Sequence, residues 1–320
     1  MRAAVVSSFT TPPRVQDFPL PPLRSDHQTV IEVLAAGLHP RVRSQADGTH
    51  YTSTDELPLV PGIDGVGRDA GGALRYFVLP DTTLGSMAEQ TIIDTRRSIV
   101  LPEGCDPVQI AAAMNPAMSS WVALRRRTQL TPGQKVLILG ATGNAGRLAV
   151  QVARHLGAST ITAVGRDTSK LADLRALGAD HLIDLCGDPD ETDARLAEAG
   201  HDVDVVLDYL WGEPATAALR AIVPARRDDD QQLNWIQIGS VAGATCPLPS
   251  AALRATRLQL IGSGQGSVST SAILAELLDL AERISAGTFD IDARAVALDD
   301  VEAAWTQATT SRQRIMITPR

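Results

Sequence analysis

The segment that most restricts how this chain folds is a hydrophobic run, residues 136–139, that leads directly into a glycine-rich turn. A helical pattern begins at once after the turn, and a second β-branched run follows at 160–164. Such glycines let the backbone approach a pyrophosphate and let the helix pack closely on its strand, while the helix N-terminus adds free N–H groups. A purely structural turn is the alternative, but the strand and helix in register favour a cofactor. We therefore predict a dinucleotide site at Gly140, Ala141, Thr142, Gly143, Asn144, Ala145 and Gly146.

The end of the second strand indicates which dinucleotide is bound. An acidic residue about 20 positions past the glycines normally binds the adenosine ribose hydroxyls, but this chain has Gly165-Arg166 there. Arg166 offers a forked donor for a 2′-phosphate, and Lys170 adds a second positive charge one turn into the next helix. Solvated residues at a helix start are the alternative interpretation of this pair. The sequence predicts NADPH in preference to NADH, bound by Gly165, Arg166 and Lys170.

The pattern of elements predicts an α/β protein with two domains. The 320 residues exceed what one core usually organises. The first hundred residues alternate short hydrophobic runs with Pro- and Gly-rich turns, which is typical of an irregular, mostly-β domain. From Lys135 to Ile261, six β-branched runs alternate with helical segments, which indicates a doubly wound parallel sheet. Between them, residues 107–127 have helical spacing, and we expect Pro116 to interrupt or kink that helix.

Charge and composition exclude several functions. A net charge of -8 offers no basis for binding nucleic acid or an anionic membrane, and the run Arg125-Arg126-Arg127 is interpreted as a solvated helix end. We find no apolar run of the ~18–20 residues needed to span a bilayer. The N-terminus lacks the apolar stretch of a signal peptide, so we expect a cytoplasmic protein. Three widely spaced cysteines predict neither disulfides nor a cysteine zinc site.

Several segments, in their order and spacing, resemble the medium-chain dehydrogenase/reductase superfamily across nearly the whole chain. They include the glycine turn, Gly165-Arg166, Leu177-Gly178-Ala179-Asp180 and the closing Ile-Met-Ile-Thr-Pro. Within the superfamily the chain resembles the zinc-free quinone oxidoreductase branch, to which zeta-crystallin belongs. The resemblance implies a discontinuous GroES-like, mostly-β catalytic domain (1–117 and 265–320) and a Rossmann NADPH-binding domain (118–264). It also implies a homodimer that pairs through the last strand of the cofactor sheet.

The resemblance allows the zinc question to be examined by position. Zinc-dependent members carry a cysteine after the Ala-Gly segment, a histidine in Gly-His-Glu, and a cysteine or acid before the interdomain helix. The matching positions here are Leu38 or His39, Ile63 and Asn115, and the four-cysteine lobe is absent. We expect His39 and His50 to be surface or packing residues. The sequence therefore predicts no metal site.

The resemblance also suggests residues near the substrate and the nicotinamide. The candidate catalytic donors are Tyr51, Asn115 and Arg41, and for each a turn, cap or surface role is the alternative. Ser119 matches a family threonine that borders the nicotinamide. Bulky Tyr209 and Trp211 are expected to shape the pocket. Further cofactor contacts are expected after the last two sheet strands, at Gly239, Ser240, Gly262, Ser263 and Gly264.

These predictions together indicate a reaction class. A carbonyl is hard to reduce to an alkoxide without a Lewis acid, whereas a quinone or an enone gives a delocalised anion that hydrogen bonds can stabilise. We therefore expect an NADPH-dependent reductase of quinones or α,β-unsaturated carbonyl compounds, with a small conjugated molecule as its substrate. The alternative is a non-catalytic NADPH-binding protein, either a redox sensor or a structural protein.

Overall fold

A computed structural model describes residues 1–49, 53–80, 82–264, 266–308, 311 and 313–319. Its contacts divide the chain into two compact units: unit 1 is Met1–Asn115 with Leu274–Arg320, and unit 2 is Pro116–Ile273. The sequence prediction placed these boundaries after residues 117 and 264. No helix among the described residues is both long and apolar enough to cross a bilayer.

The strands, in chain order, are β1 Arg2–Val5, β2 Arg14–Asp17, β3 Gln28–Leu38, β4 Asp64–Asp69, β5 Leu74–Val78, β6 Gln90–Asp94, β7 Ser98–Val100, β8 Lys135–Leu139, β9 Thr160–Gly165, β10 His181–Asp184, β11 Val205–Asp208, β12 Leu233–Gln237, β13 Leu258–Gly262, β14 Ala293–Ala297 and β15 Arg314–Thr318. The α-helices are α1 Pro40–Ala46, α2 Pro107–Val122, α3 Asn144–His155, α4 Thr168–Asp173, α5 Pro189–Gly200, α6 Gly212–Ile222, α7 Ala252–Ala255, α8 Thr270–Ser285 and α9 Val301–Gln307.

Unit 2 contains a six-stranded parallel sheet in the order β10-β9-β8-β11-β12-β13. The order reverses between β8 and β11, which makes the carboxyl edge of these strands the place where a doubly wound sheet binds its ligand. The central strands are continuous apolar runs because both of their faces are covered, and Leu137, Leu207 and Trp235 are fully buried. The α/β fold class predicted from the sequence is confirmed.

Unit 1 contains a seven-stranded mixed sheet in the order β14-β15-β3-β4-β5-β7, in which β6 also pairs with β3, and a separate β1-β2 ribbon. The last strand of the chain, β15, lies between β14 and β3 and pairs antiparallel with β3. The core of this unit includes Ile31, Phe77, Met87 and Ile315. The C-terminal segment therefore completes the sheet begun by the first hundred residues.

Helix α2 continues past Pro116, so the proline does not interrupt the helix, and the alternative expectation of a kink there stays a prediction. The helix ends in a π-helical turn, Ala123–Arg127, in which the Thr128 N–H donates to the Ala123 carbonyl over 3.3 Å. Wider turns of this kind are rare and occur often at functional sites. The turn is followed by Gln129, which has a φ of 52°.

Candidate functional site

The glycine turn joins β8 to α3, and its geometry excludes side chains. Gly140 has a φ of +87°, which favours glycine. A Cβ atom at Gly146 would lie 2.3 Å from the Gly140 carbonyl oxygen, so the start of the helix packs directly on the turn. Gly143 is the N-cap of α3, with φ -79°, and has no side chain to cover the helix N-terminus. The turn thus leaves free N–H groups open to an anion.

The end of β9 lies against this turn. The N–H groups of Gly140 and Ala141 both donate to the Val164 carbonyl, over 3.0 and 2.9 Å. A Cβ atom at Gly165 would lie 2.6 Å from Thr142 Cγ2. The structure therefore brings together the predicted residues of the turn and the predicted residue at the end of the second strand.

Arg166 follows this contact and is exposed. The carboxylate of the next residue, Asp167, is directed to its own helix: its Oδ1 accepts from the Lys170 N–H over 3.1 Å, which caps α4. The Lys170 ammonium lies 3.6 Å from the same carboxylate. The Asp167 carboxylate is therefore used in helix capping, and Arg166 carries an exposed charge directly after β9.

A tight turn after β11 contains a strained residue. The N–H groups of Leu210 and Trp211 donate to buried Asp208 Oδ1, over 2.8 and 2.9 Å, and Trp235 Nε1 donates to its Oδ2 over 3.1 Å. Burial raises the pKa of Asp208. Trp211 has φ 56° and ψ -161°, a conformation that costs a side-chain-bearing residue about 1–3 kcal/mol. The hydrogen bonds to Asp208 hold the turn in this shape.

Tyr209, which begins this turn, is 8% exposed, and its hydroxyl oxygen lies 3.0 Å from Ser119 Oγ. Ser119 Oγ also lies 2.7 Å from the Pro116 carbonyl oxygen, to which it can donate, and either hydroxyl can be the donor in the bond between Tyr209 and Ser119. Burial raises the pKa of Tyr209 to about 12. From the sequence we expected Tyr209 only to shape the pocket. Its hydrogen bond to Ser119, a predicted cofactor residue, was not predicted.

Residues 125–127 lie at the end of a helical segment, as expected, and one of them, Arg127, also makes hydrogen bonds to a loop. Its Nε donates to the Gly262 carbonyl over 3.0 Å, and its Nη1 donates to the Ser267 carbonyl over 3.3 Å. Gly262 is a predicted cofactor residue, so Arg127 stabilises the loop that carries it. Sequence reasoning missed this role because the partners are 135 and 140 residues away.

The remaining predicted cofactor residues follow the last two sheet strands. Gly239 lies against Tyr209, since a Cβ atom there would be 2.7 Å from the Tyr209 carbonyl oxygen. The Ser263 N–H donates to the Gln237 carbonyl over 2.9 Å, and the Gly264 N–H donates to Ser267 Oγ over 2.8 Å. The Ser240 carbonyl accepts from the Gly243 N–H. All four positions lie at or just beyond the carboxyl ends of β12 and β13.

The predicted catalytic donors are distributed over unit 1. Arg41 lies in α1 and is half-buried, and Asn115 lies in α2 and is half-buried. Tyr51 and His50 lie outside the described residues. No distance between the three donors is established by the structure, and their roles stay predictions.

Unit 1 also contains a buried polar cluster that the sequence analysis did not identify. Tyr76 donates to Asp64 Oδ2 over 2.8 Å, and His39 Nε2 lies 3.5 Å from Asp64 Oδ1. Arg314 is 6% exposed, and its Nε and Nη2 have no hydrogen-bond partner among the described residues. Burial, assisted by the charge of Arg314, lowers the pKa of His39. His39 is thus a packing residue, and charged residues inside apolar strands were the signal for this cluster.

Comparisons with known proteins agree with this architecture. A family model described as Zinc-binding dehydrogenase matches residues 145–283. Over the whole length of both sequences, the chain is 30% identical to the protein named probable NADPH-dependent quinone reductase tdiC from Emericella nidulans. It is 29% identical to the chloroplastic NADPH-dependent alkenal/one oxidoreductase of Arabidopsis thaliana, over 60% of this chain and 52% of that protein.

Among solved structures, the quinone oxidoreductase from Thermus thermophilus, which was also determined in complex with NADPH, is similar at a TM-score of 0.81. It is 25% identical, with 99% of this chain and 100% of that chain covered. A Rossmann-type sheet with a glycine turn, combined with a mixed-sheet unit, defines a two-domain oxidoreductase. The chain belongs to the medium-chain dehydrogenase/reductase superfamily, in its quinone oxidoreductase branch, as the sequence motifs predicted.

The description of the family model raises the question of zinc. The positions that match zinc ligands are Leu38 or His39, Ile63 and Asn115; of these, Leu38 and Ile63 are aliphatic residues of the unit 1 core, each 3% exposed. His39 and Asp64 are the two side chains nearby that could bind a metal, and within the described ranges no group of three His, Cys, Asp or Glu residues is placed to do so. A zinc ion requires four ligands, or three and a water. The residues that the structure describes therefore do not fit zinc.

Proposed function

We propose that this protein is an NADPH-dependent, zinc-free reductase that transfers hydride to quinones or α,β-unsaturated carbonyl compounds. The observation that carries the proposal is the contact between the end of β9 and the glycine turn, with exposed Arg166 next in the chain and Asp167 committed to capping α4. NADPH, when bound, supplies the hydride. The protein supplies the anion site, the orientation and the hydrogen bonds to the developing oxyanion.

NADPH is the cofactor predicted from Arg166 and Lys170, and the comparisons confirm it: two relatives are named as NADPH-dependent, and a similar structure has been determined with NADPH. Its pyrophosphate is assigned to residues 140–146, and its 2′-phosphate is assigned to Arg166 and Lys170. The names of the same relatives, quinone reductase and alkenal/one oxidoreductase, support conjugated substrates. Both kinds of substrate accept hydride to give a delocalised anion, which needs no metal ion.

For the substrate side we propose Arg41, Tyr51 and Asn115 as candidate hydrogen-bond donors to the substrate oxygen. Because hydride addition places negative charge on that oxygen, a donor directed at it lowers the barrier more than it strengthens substrate binding. Ser119 is assigned to the nicotinamide end of the cofactor. Tyr51 lies outside the described residues, so its role is tested by substituting the residue and measuring the rate of reduction.

The test separates an enzyme from a binding protein. NADPH and NADH are first titrated against the protein with no acceptor, and the loss of nicotinamide absorbance is then followed with a panel of quinones and enones. The proposal expects tighter binding of NADPH than of NADH, followed by turnover with conjugated acceptors. Tight NADPH binding without turnover on any acceptor would favour the alternative, a redox sensor or a structural protein.

Assembly and location belong to the same proposal. Strand β13 is an edge strand of the six-stranded sheet, and the proposed homodimer pairs through this edge. The proposal also includes a cytoplasmic location. Sedimentation of the purified protein tests the first statement, and a single monomeric species at assay concentration would contradict it.

A further inference from the structure

The order of the strands in unit 2 indicates where each half of a bound dinucleotide lies. The glycine turn follows β8, and the predicted 2′-phosphate residues follow β9 on one side of it. Strands β11, β12 and β13 lie on the other side. A dinucleotide extends across the point where the strand order reverses. If its adenosine half lies over β9, its nicotinamide half lies over the ends of β11 and β12.

Tyr209 directly follows β11, the first strand of that second side, and its backbone contacts residues after both neighbouring strands. Its N–H donates to the Leu139 carbonyl over 3.1 Å, at the last residue before the glycine turn. A Cβ atom at Gly140 would lie 3.2 Å from Tyr209 Cβ, and one at Gly239 would lie 2.7 Å from its carbonyl oxygen. Tyr209 is therefore packed between two predicted cofactor positions, Gly140 and Gly239.

The side chain of Tyr209 reaches a third predicted position, Ser119. The Tyr209 hydroxyl, Ser119 Oγ and the Pro116 carbonyl oxygen form a hydrogen-bonded chain. The chain holds the Ser119 side chain between two partners, so this pair is suited to positioning. The strained turn at Trp211, held by buried Asp208, fixes the start of this arrangement. A strained backbone conformation such as that of Trp211 persists only where the surrounding structure holds it in place.

We propose that Tyr209 is a positioning residue of the cofactor site, which acts through Ser119 on the nicotinamide half of NADPH. The proposal rests on the proposed function, because it assumes that NADPH binds at the glycine turn. It assigns to Tyr209 no contact with the substrate. It predicts that the hydroxyl of Tyr209 influences the nicotinamide half and leaves the adenosine half unaffected.

The test uses Tyr209→Phe, Ser119→Ala and the double variant in the full-length protein. Dissociation constants are measured for NADPH, by its fluorescence, and for adenosine 2′,5′-bisphosphate, which contains the 2′-phosphate but no nicotinamide. Loss of one buried hydrogen bond leads us to expect a roughly tenfold weaker NADPH complex for Tyr209→Phe. The fragment should bind within about twofold of wild type, which is a negligible free-energy difference. Because Tyr209 acts through Ser119, the double variant should bind NADPH no more weakly than the weaker single variant.

The control variant is Tyr76→Phe, which removes another buried tyrosine hydroxyl with a hydrogen bond, to Asp64 in unit 1. It should lower the melting temperature without changing the NADPH affinity. Equal weakening of NADPH and the fragment by Tyr209→Phe, additive effects in the double variant, or unchanged NADPH affinity would overturn the proposal. If wild type fails to bind NADPH, the proposed function fails as well; if wild type binds and Tyr209→Phe binds equally well, the positioning role alone is wrong.

Discussion

The carbonyl oxygen of Gly140 lies 2.3 Å from the position that a Cβ atom would take at Gly146, whereas a Cβ atom at Gly143 would come no closer than 3.6 Å to the same oxygen. The two glycines are therefore required for different reasons. Gly146 is required by the fold itself. Gly143 has room for a methyl group, so a requirement for glycine there would come from the ligand.

These distances predict opposite outcomes for two matched substitutions. Gly146→Ala should reduce the free energy of unfolding by about 1–3 kcal/mol, because the clash is with backbone. Gly143→Ala should reduce it by less than about 1 kcal/mol, the cost of alanine at an N-cap, and yet weaken NADPH binding strongly. Urea unfolding and NADPH titration of both variants test this. Equal loss of stability in the two variants would show that Gly143 is also structural.

The cofactor preference should depend on Arg166. Arg166→Gln removes an exposed charge that is assigned to the 2′-phosphate, and hydrogen bonds to charged groups contribute about 1.5–3 kcal/mol. We expect NADPH to bind roughly 10- to 150-fold more weakly, while the affinity for NADH stays unchanged. Arg220→Gln, at an exposed arginine of α6 in a loose ion pair with Glu213, is the matched control. If Arg166→Gln weakened NADH binding to the same extent, Arg166 would not act on the 2′-phosphate.

The sequence predicts unit 2 better than unit 1 for a physical reason. Strands covered on both faces, such as Val136 to Leu139, are continuous apolar runs, which are recognised from the local sequence alone. Strands of unit 1 such as β6 mix buried and exposed positions, and the last described strand, β15, pairs with β3 across almost the whole chain. Local patterns indicate that a strand exists but carry no information about such a partner.

The candidate site divides in the same way. The glycine turn is a local motif, so its residues and its helix follow from the sequence. The bonds from Arg127 to Gly262 and from Tyr209 to Ser119 join residues 135 and 90 positions apart. Arg127 lies in a charged run that is usually solvated, and nothing nearby in the sequence distinguishes it. Only the folded chain shows which of three arginines binds the loop.

The pH dependence of stability should reflect His39. Its folded-state pKa is lowered by burial below the unfolded value of about 6.5, so below that pH the unfolded chain binds the proton more readily. Stability contributed by neutral His39 is therefore present above pH ~6.5 and is lost as the pH falls toward the folded pKa. Asp64, Tyr76 and Arg314 are the groups around it, and Arg41 adds a further positive charge.

The corresponding experiment compares wild type with His39→Asn by urea unfolding at a series of pH values. The difference in unfolding free energy between the two proteins should be constant above pH ~6.5. At lower pH, wild type should lose stability relative to His39→Asn. A difference that stays constant over the whole range would show that His39 has an ordinary pKa in the folded protein. Titrating groups that lie away from His39 are the same in both proteins, so their contributions cancel.

Metal removal tests the zinc-free prediction. Since Ile63 and Asn115 stand at two of the matching ligand positions, where zinc-dependent members carry a histidine and a cysteine or acid, prolonged dialysis against a strong chelator should leave the rate of NADPH oxidation unchanged. Metal analysis of the active protein should find zinc well below one ion per chain. Activity that is lost on chelation and restored by zinc would contradict the account.

The most direct measurement is the steady-state rate of NADPH oxidation by the wild-type protein with two matched sets of acceptors. One set contains quinones and enones, and the other contains the saturated ketones of the same size. The account predicts turnover with conjugated acceptors and little or none with saturated ketones, because without a metal ion only a delocalised product anion can be stabilised. Equal rates with saturated ketones, or no turnover with any conjugated acceptor, would contradict it.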